Sequence, residues 1–366
     1  MRAIRTLYAT LLPHYKLLCN LPRKNKLRKE GDLPQSPFTI LRARLKTLPR
    51  LDLASLPTPL QKLPRLSEVI EGPDLYVKRE DLTGMALGGN KIREFEFQIA
   101  QAVERGCDVL VHSAGSQSNQ SRVTAAVAAK LGLKAVVVGR QDGHQQHQGN
   151  LLLTHLFGAE VHLPEIGRQE AAVAENMEAL RSDGHTPFHT STDARAYRAI
   201  AYVDGALELA EQMEAESIRA DALYLCSGAY THVGLVVAFK ALGIDLRIVG
   251  ISPTPRDNTH AAQGHAELAR ECAQILGLSL DFSPEDFESY AEFVGPEYGV
   301  LTEQSRNAIQ LLARTEGLLL DPSYTGKAMA GLLTHVQAGW WHKGQALIFV
   351  HTGGTPALFA YADALL

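Results

Sequence analysis

The chain has 366 residues, of which 45% are hydrophobic, 21% charged and 7% aromatic. That is ordinary globular composition, and it excludes wholesale disorder, collagen and low-complexity repeats. With 36 Lys+Arg against 40 Asp+Glu, the net charge of -4 offers no electrostatic footprint for nucleic acid. No segment approaches the roughly 18 consecutive apolar residues of a membrane helix, so no membrane partner is expected.

Cys19, Cys107, Cys226 and Cys272 are far apart and form no Cys-x-x-Cys pair. Reduced thiols in a cytoplasmic compartment are the default, without a zinc ribbon or a disulfide framework. Cys107 and Cys226 border apolar runs and read as small buried hydrophobes. Residues 1–29 hold eight Lys/Arg and no acid, including Arg23-Lys24-Asn25-Lys26-Leu27-Arg28-Lys29. Such a segment resembles an organelle transit peptide but has little Ser, and it also reads as a solvated extension. Leu56-Pro57-Thr58-Pro59-Leu60 marks an extended entry into the folded body.

From residue 75 the pattern alternates. Leu75–Lys78 reads as a strand and Lys91–Arg105 as a helix, with Ile92, Phe95, Ile99, Ala102 and Val103 near helical spacing. Strands are expected at 108–112, 134–138 and 161–163, and helices at 118–131, 150–157 and 169–181. Further strands are expected at 222–225, 247–251 and 346–350. Helices are expected at 231–242, 259–276, 302–316 and 326–338, and from Pro356 onwards. Alternation at this spacing predicts open parallel sheets with helices on both faces. Such sheets bind ligands at the carboxyl ends of strands, where a loop enters a helix.

Four of these loops carry unusual residues. In Leu87-Gly88-Gly89-Asn90-Lys91 the glycines allow close approach of a ligand, and Lys91 opens a helix. Positive potential at a helix N-terminus lowers a lysine pKa, and Schiff-base chemistry requires the neutral amine. Taken alone, Lys91 reads more simply as a surface lysine. The run Ser113–Ser121 is small and polar throughout, which suits a carboxylate or phosphate cradle. N-capping by Ser118 or Asn119 explains part of it. Ser227-Gly228-Ala229-Tyr230-Thr231-His232 also follows a strand, and its N–H groups and hydroxyls could hold a phosphate. It is no Walker loop, and the chain has no Gly-x-Gly-x-x-Gly for a nicotinamide dinucleotide. The fourth loop is His351-Thr352-Gly353-Gly354-Thr355.

Pro296-Glu297-Tyr298-Gly299 and Asp321–Lys327 each set a Tyr beside a turn, where a phenol can stack on a flat ligand, donate a proton or simply pack. His144-Gln145-Gln146-His147 sits in loop-like composition with no third ligand, so no metal is expected. No Gly-x-Ser-x-Gly elbow marks a hydrolase.

In order along the chain, Gly88-Gly89-Asn90-Lys91, Gln117-Ser118-Asn119-Gln120, Glu297-Tyr298-Gly299-Val300, Asp321–Leu332 and His351–Tyr361 resemble a family of pyridoxal-phosphate enzymes. That family comprises 1-aminocyclopropane-1-carboxylate deaminase and D-cysteine desulfhydrase, and the resemblance runs from about Leu48 to Tyr361. It implies an α/β fold of fold type II, similar to tryptophan synthase β, with two open parallel-sheet domains. The division expected is a basic extension over 1–47, a large cofactor-binding domain over 48–93 plus 205–366, and a small α/β domain over 94–204. A homodimer is implied by the resemblance alone.

The same resemblance implies pyridoxal 5'-phosphate as cofactor and a small amino acid as substrate. Lys91 would bind the cofactor covalently and then move the α-proton, beside Asn90. Asn119 would meet the cofactor's phenolic oxygen, and Ser118 and Gln120 would help hold the substrate carboxylate. Tyr298 and Tyr324 would line the pocket near ring and substrate. Ser227, Gly228, Ala229, Tyr230 and Thr231 would hold the phosphate. Thr325 and Thr352 match the desulfhydrase branch. Deaminase-type members carry Glu and Leu there, and a Glu beside the pyridine nitrogen would strengthen the electron sink. The implied reaction is β-elimination from D-cysteine to pyruvate, ammonia and hydrogen sulfide. Ring-opening deamination, L-cysteate-type elimination and cofactor binding without turnover are the alternatives. Two departures from the family pattern stand out. Ser227 and Tyr230 occupy places held by glycines or small residues, so Tyr230 must point away from a phosphate. Thr192-Asp193-Ala194-Arg195 replaces a Gly-Gly-Ser-Asn-like turn. Arg195 or Arg198 is then either a pocket residue recruiting an extra anion or part of a surface helix.

Overall fold

The computed structural model describes residues 36–140, 146–226, 228–255 and 258–366. The basic stretch before residue 36, His144 and Ser227 lie outside the described residues. Three short elements open the body: helix α1 Pro37–Leu45, strand β1 Leu60–Lys62 and helix α2 Pro64–Val69. Then come β2 Asp74–Lys78, α3 Asn90–Glu104, β3 Val109–Ser113, α4 Asn119–Leu131 and β4 Lys134–Val138. They are followed by α5 Gly149–Leu156, β5 Glu160–His162, α6 Gln169–Ser182, β6 Pro187–His189 and α7 Arg195–Ala215. The last third runs β7 Ala222–Cys226, α8 Tyr230–Leu242, β8 Arg247–Ile251, α9 Asn258–Ile275, β9 Glu288–Tyr290, α10 Glu303–Glu316, α11 Thr325–Gln337, β10 Ala346–Val350 and α12 Ala362–Leu365.

The strands form two sheets. One has six strands in the order β1-β2-β10-β7-β8-β9, and the other four in the order β5-β4-β3-β6. Every pairing is parallel except that of β1 with β2. Parallel ladders need crossovers, and the helices that supply them cover both faces. Hence β3, β7 and β10 are mostly apolar, show almost no alternation and are buried on both sides over most of their length. β10, the last strand in the chain, lies between β2 and β7, with Ile348 opposite both Tyr76 and Leu223.

Core packing reaches into the last part of the expected 1–47 extension. Leu41 and Leu45 of α1 are buried in the cluster that contains α7 and α8 residues. The terminal helix expected from Pro356 is a 3₁₀ coil, Thr355–Tyr361, followed by α12. Cys107, Cys226 and Cys272 are buried. Among the described residues, no helix is long and apolar enough to cross a membrane.

Candidate active site

Strand ends place the unusual loops together. A cavity of about 360 Å³ is lined by Asn90, Lys91, Ser118, Asn119, Gln120, Gly228, Ala229, Tyr230, Thr231, Tyr298, Tyr324 and Thr352. Residues as far apart in sequence as Asn90 and Thr352 converge because two glycine turns touch. Gly89 (φ 107°) and Gly353 (φ 99°) lie back to back, and a Cβ on Gly353 would sit 2.6 Å from the Gly89 Cα. The Asn90 N–H donates to the Thr352 carbonyl at 2.9 Å, which fixes the start of α3 against the loop after β10.

Lys91 stands in the first turn of α3 and is the one lysine among the described lining residues. Burial lowers its pKa, Glu94 opposes that, and Arg198 lowers it further. Its Nζ donates to Glu94 Oε1 at 2.6 Å. Glu94 Oε2 accepts from Arg198 Nε at 2.8 Å and Nη2 at 2.5 Å. Asn90 Nδ2 reaches both Glu94 Oε1 (3.2 Å) and Thr231 Oγ1 (3.1 Å). A fully buried carboxylate therefore joins two cations beside the cavity.

Sequence reasoning did not identify Glu94. Its signal is the i, i+3 spacing of Lys91 and Glu94, which puts both on one helical face. His112, Ser191 and Cys226 also line the cavity and were likewise not identified. Of the two arginines weighed in the altered turn, Arg198 lines this cavity, while Arg195 faces a separate one shared with His260 and Glu271. The Arg198 guanidinium lies 3.8 Å from the centre of the Tyr230 ring. That stack fixes a bulky residue in a loop of otherwise small residues.

The remaining expected residues differ in what they leave available. Ser118 caps α4, accepting the Ser121 N–H at 3.3 Å, which leaves its own proton to donate. Asn119 Oδ1 accepts from Asn150 at 2.9 Å, so its amide N–H group is the end left for a ligand. Gln120 spends its side chain on Arg198 (2.7 Å) and Thr190 (3.2 Å). The Tyr298 and Tyr324 hydroxyls are 2.5 Å apart, and burial pushes Tyr324 well above the usual phenol range. Thr325 is not among the lining residues. It is buried, and its hydroxyl accepts the Asp321 N–H at 2.8 Å and donates to Asp321 Oδ1 at 2.7 Å.

The site suits a phosphate-bearing aldehyde. Helix α8 begins without a side-chain cap, so its first N–H groups lack intrahelical partners where Ala229, Tyr230 and Thr231 line the cavity. Ala229 holds φ 128°, a strained value for a residue with a Cβ, and this turns the loop into the helix. An amine with a lowered pKa, an uncapped helix N-terminus and amide donors on α4 thus share one enclosure.

Comparison with known proteins agrees. A model of the pyridoxal-phosphate dependent enzyme family matches residues 51–353. A D-cysteine desulfhydrase of Yersinia enterocolitica is 40% identical over 332 residues, covering 88% of this chain and 98% of its own. One from Serratia proteamaculans is 38% identical with the same coverage. The crystal structure of an ACC deaminase homologue superposes with a TM-score of 0.80 at 32% identity, covering 89% of this chain and 98% of its own. Escherichia coli diaminopropionate ammonia lyase, at 15% identity and a TM-score of 0.63, shares the fold. The amine, its neighbouring helix N-terminus and these relatives lead to one conclusion: the chain belongs to the pyridoxal-phosphate-dependent enzyme family.

Proposed function

We propose that the protein is a pyridoxal-phosphate-dependent lyase that removes the β-substituent of a small amino acid. D-cysteine is the leading substrate, with pyruvate, ammonia and hydrogen sulfide as products. The observation that carries this reading is the convergence of Lys91, the uncapped start of α8 and the Ser118–Gln120 turn on one cavity. D-cysteine comes from the desulfhydrase relatives.

When bound, the cofactor supplies an electron sink that stabilises negative charge at the substrate α-carbon. The chain supplies the rest. Lys91 Nζ holds the cofactor, then takes the α-proton. Glu94 and Asn90 orient that amine. Gly228, Ala229, Tyr230 and Thr231 hold the phosphate through main-chain N–H groups and the Thr231 hydroxyl, and Ser227 belongs to the same proposed loop. The free amide of Asn119 meets the phenolic oxygen. The Ser118 hydroxyl and the N–H groups of Asn119 and Gln120 at the start of α4 receive the substrate carboxylate. The Tyr298–Tyr324 pair and Thr352 close the pocket around the departing group. Thr325 acts from behind Tyr324 through Asp321. A neutral environment at the pyridine nitrogen suffices, because the electrons leave with the β-substituent. A homodimer in the cytoplasm is part of the same proposal, on family resemblance.

One observation favours cofactor binding without turnover: Tyr230, stacked on Arg198, stands in the loop meant for the phosphate. Absorption of the cofactor-loaded protein and keto-acid release separate the two readings. The lyase reading expects a visible band, pyruvate from D-cysteine, and a loss of about a thousandfold or more in Lys91→Ala, together with loss of the band. A band with no keto acid from any β-substituted amino acid would favour binding alone.

A further inference from the structure

The start of α5 has no part in the chemistry above, yet it settles which end of Asn119 the cavity receives. Asn150, the second residue of α5, is fully buried. Its Nδ2 lies 2.8 Å from the Gln117 carbonyl oxygen and 2.9 Å from Asn119 Oδ1. Its main-chain N–H donates to Gln117 Oε1 at 2.9 Å, and Gln117 Nε2 donates to the Gln148 carbonyl at 3.2 Å. The 148–150 turn and the turn after β3 thus clasp each other. Gly149 permits the close approach: it holds φ 57°, and a Cβ there would sit 2.5 Å from Gln117 Oε1 and 2.9 Å from the Pro356 carbonyl oxygen.

One fixed atom orders this network. The Gln117 carbonyl belongs to the main chain and can only accept, so the Asn150 atom facing it is the NH2 end. The second hydrogen of that group goes to Asn119, which must meet it with its own oxygen. The NH2 end of Asn119 is then the end turned to the cavity that Asn119 lines. Asn150 Oδ1 is buried with no partner among the described residues, so burial alone gives no reason for an amide at this position, whereas its two N–H groups do. We infer that Asn150 is a positioning residue: it sets Asn119 as a donor and thereby favours the ionised form of the cofactor's phenolic oxygen. The inference rests on the reading that Asn119 meets that oxygen. A donor there favours the ionised oxygen, and a carbonyl oxygen there favours the neutral phenol.

The test is the absorption spectrum of the full chain loaded with pyridoxal 5'-phosphate, at one pH and before any amino acid is added, so that turnover plays no part. The ionised phenol absorbs in the visible and the neutral one in the near ultraviolet, and the ratio of the two bands reads the hydrogen bond. Asn119→Ala should lower the visible-to-ultraviolet ratio about tenfold. Asn150→Leu, of similar bulk but without a donor, should lower it about threefold or more. Asn150→Asp should lower it at least as far as Asn119→Ala, because a carboxylate draws the NH2 end of Asn119 to itself and turns the oxygen to the cavity. In the Asn119→Ala background, Asn150→Leu should lower the ratio no further. A wild type without the visible band, a wild-type ratio in Asn150→Leu with only a lower melting temperature, or a full extra loss in the Asn119→Ala background overturns the inference. An unchanged ratio in Asn119→Ala shows instead that the placement of Asn119 at the phenolic oxygen fails, and the inference falls with it. Should Asn150→Leu not fold, Asn150→Asp, the same size as asparagine, decides: a wild-type ratio there overturns the inference.

Discussion

Two ionic clusters are strung between helices α3 and α7, one at the cavity and one beneath it. The lower one joins Arg93 to Glu80 by two hydrogen bonds of 2.9 Å and to Glu208 at 3.2 Å. Lys78 donates to Glu208 at 2.5 Å and to the Thr58 carbonyl at 2.7 Å, and the Tyr202 hydroxyl donates to Glu80 at 2.8 Å. Arg93, Glu80 and Lys78 are all buried, and each has several fixed partners from β2, α3 and α7. The upper cluster uses the same residue types differently. Glu94 keeps Arg198 as a bidentate partner from another helix, so the other cation, Lys91, can leave without stranding a buried carboxylate. Neighbouring positions on one helix thus serve opposite ends. Where each charge is fixed by several groups, the cluster locks the fold. Where one member borders a cavity, the cluster frees an amine.

The largest effect expected from this contrast is on the lower cluster. Arg93→Met leaves the buried Glu80 and the partly buried Glu208 beside one remaining cation, and should cost about 3–5 kcal/mol in urea unfolding. A loss under about 1 kcal/mol would place the lock elsewhere. Acid should act on the same residues. Burial would raise the Glu80 carboxyl, but Arg93, with Lys78 and the Thr58 hydroxyl, outweighs it and holds it at about 2. A carboxyl held below its unfolded value contributes stability above that value and loses it as pH falls toward the folded one. Thermal melts should therefore decline as pH is lowered from about 5 toward 2, more steeply in the wild type than in Glu80→Gln.

At the cavity, Glu94→Gln should shift a pH profile with a smaller effect on stability. The Glu94 charge favours the Lys91 ammonium, whereas burial and Arg198 disfavour it. Without that charge the amine is neutral at lower pH. The midpoint of cofactor capture, followed by absorbance, should move to lower pH, and an unmoved midpoint would show that Glu94 does not govern the amine. The smallest effect expected is at Ala229. Replacing it with glycine relieves the backbone at φ 128° and should add about 1 kcal/mol of stability, which would show that the strain beside the cavity resides in the loop and not in the ions.

Much of this was legible in the sequence, for physical reasons. Lys134–Val138, Arg247–Ile251 and Ala346–Val350 are apolar runs, each following a turn or loop and buried on both faces, and their limits are as expected. β1, β6 and β9 have three residues each, too short to show a period, and they exist because neighbouring strands pair with them. The motif loops met because strand ends in parallel sheets collect at one edge. The ionic partners were harder to read. Glu94 looks like a solvent-facing residue on an amphipathic helix until Arg198, 104 positions later, is placed against it. His112 looks like part of a strand until the 190–191 turn pins its ring.

The position of β10 has a consequence for folding. This strand, far along the sequence, joins β2, near the start of the body, to β7 and the strands beyond it. The carbonyl that receives the Asn90 N–H lies two residues after it. The larger sheet and the seat of α3 therefore close only when Asn90 and Thr352, far apart in sequence, are brought together, and contacts of such long range form slowly.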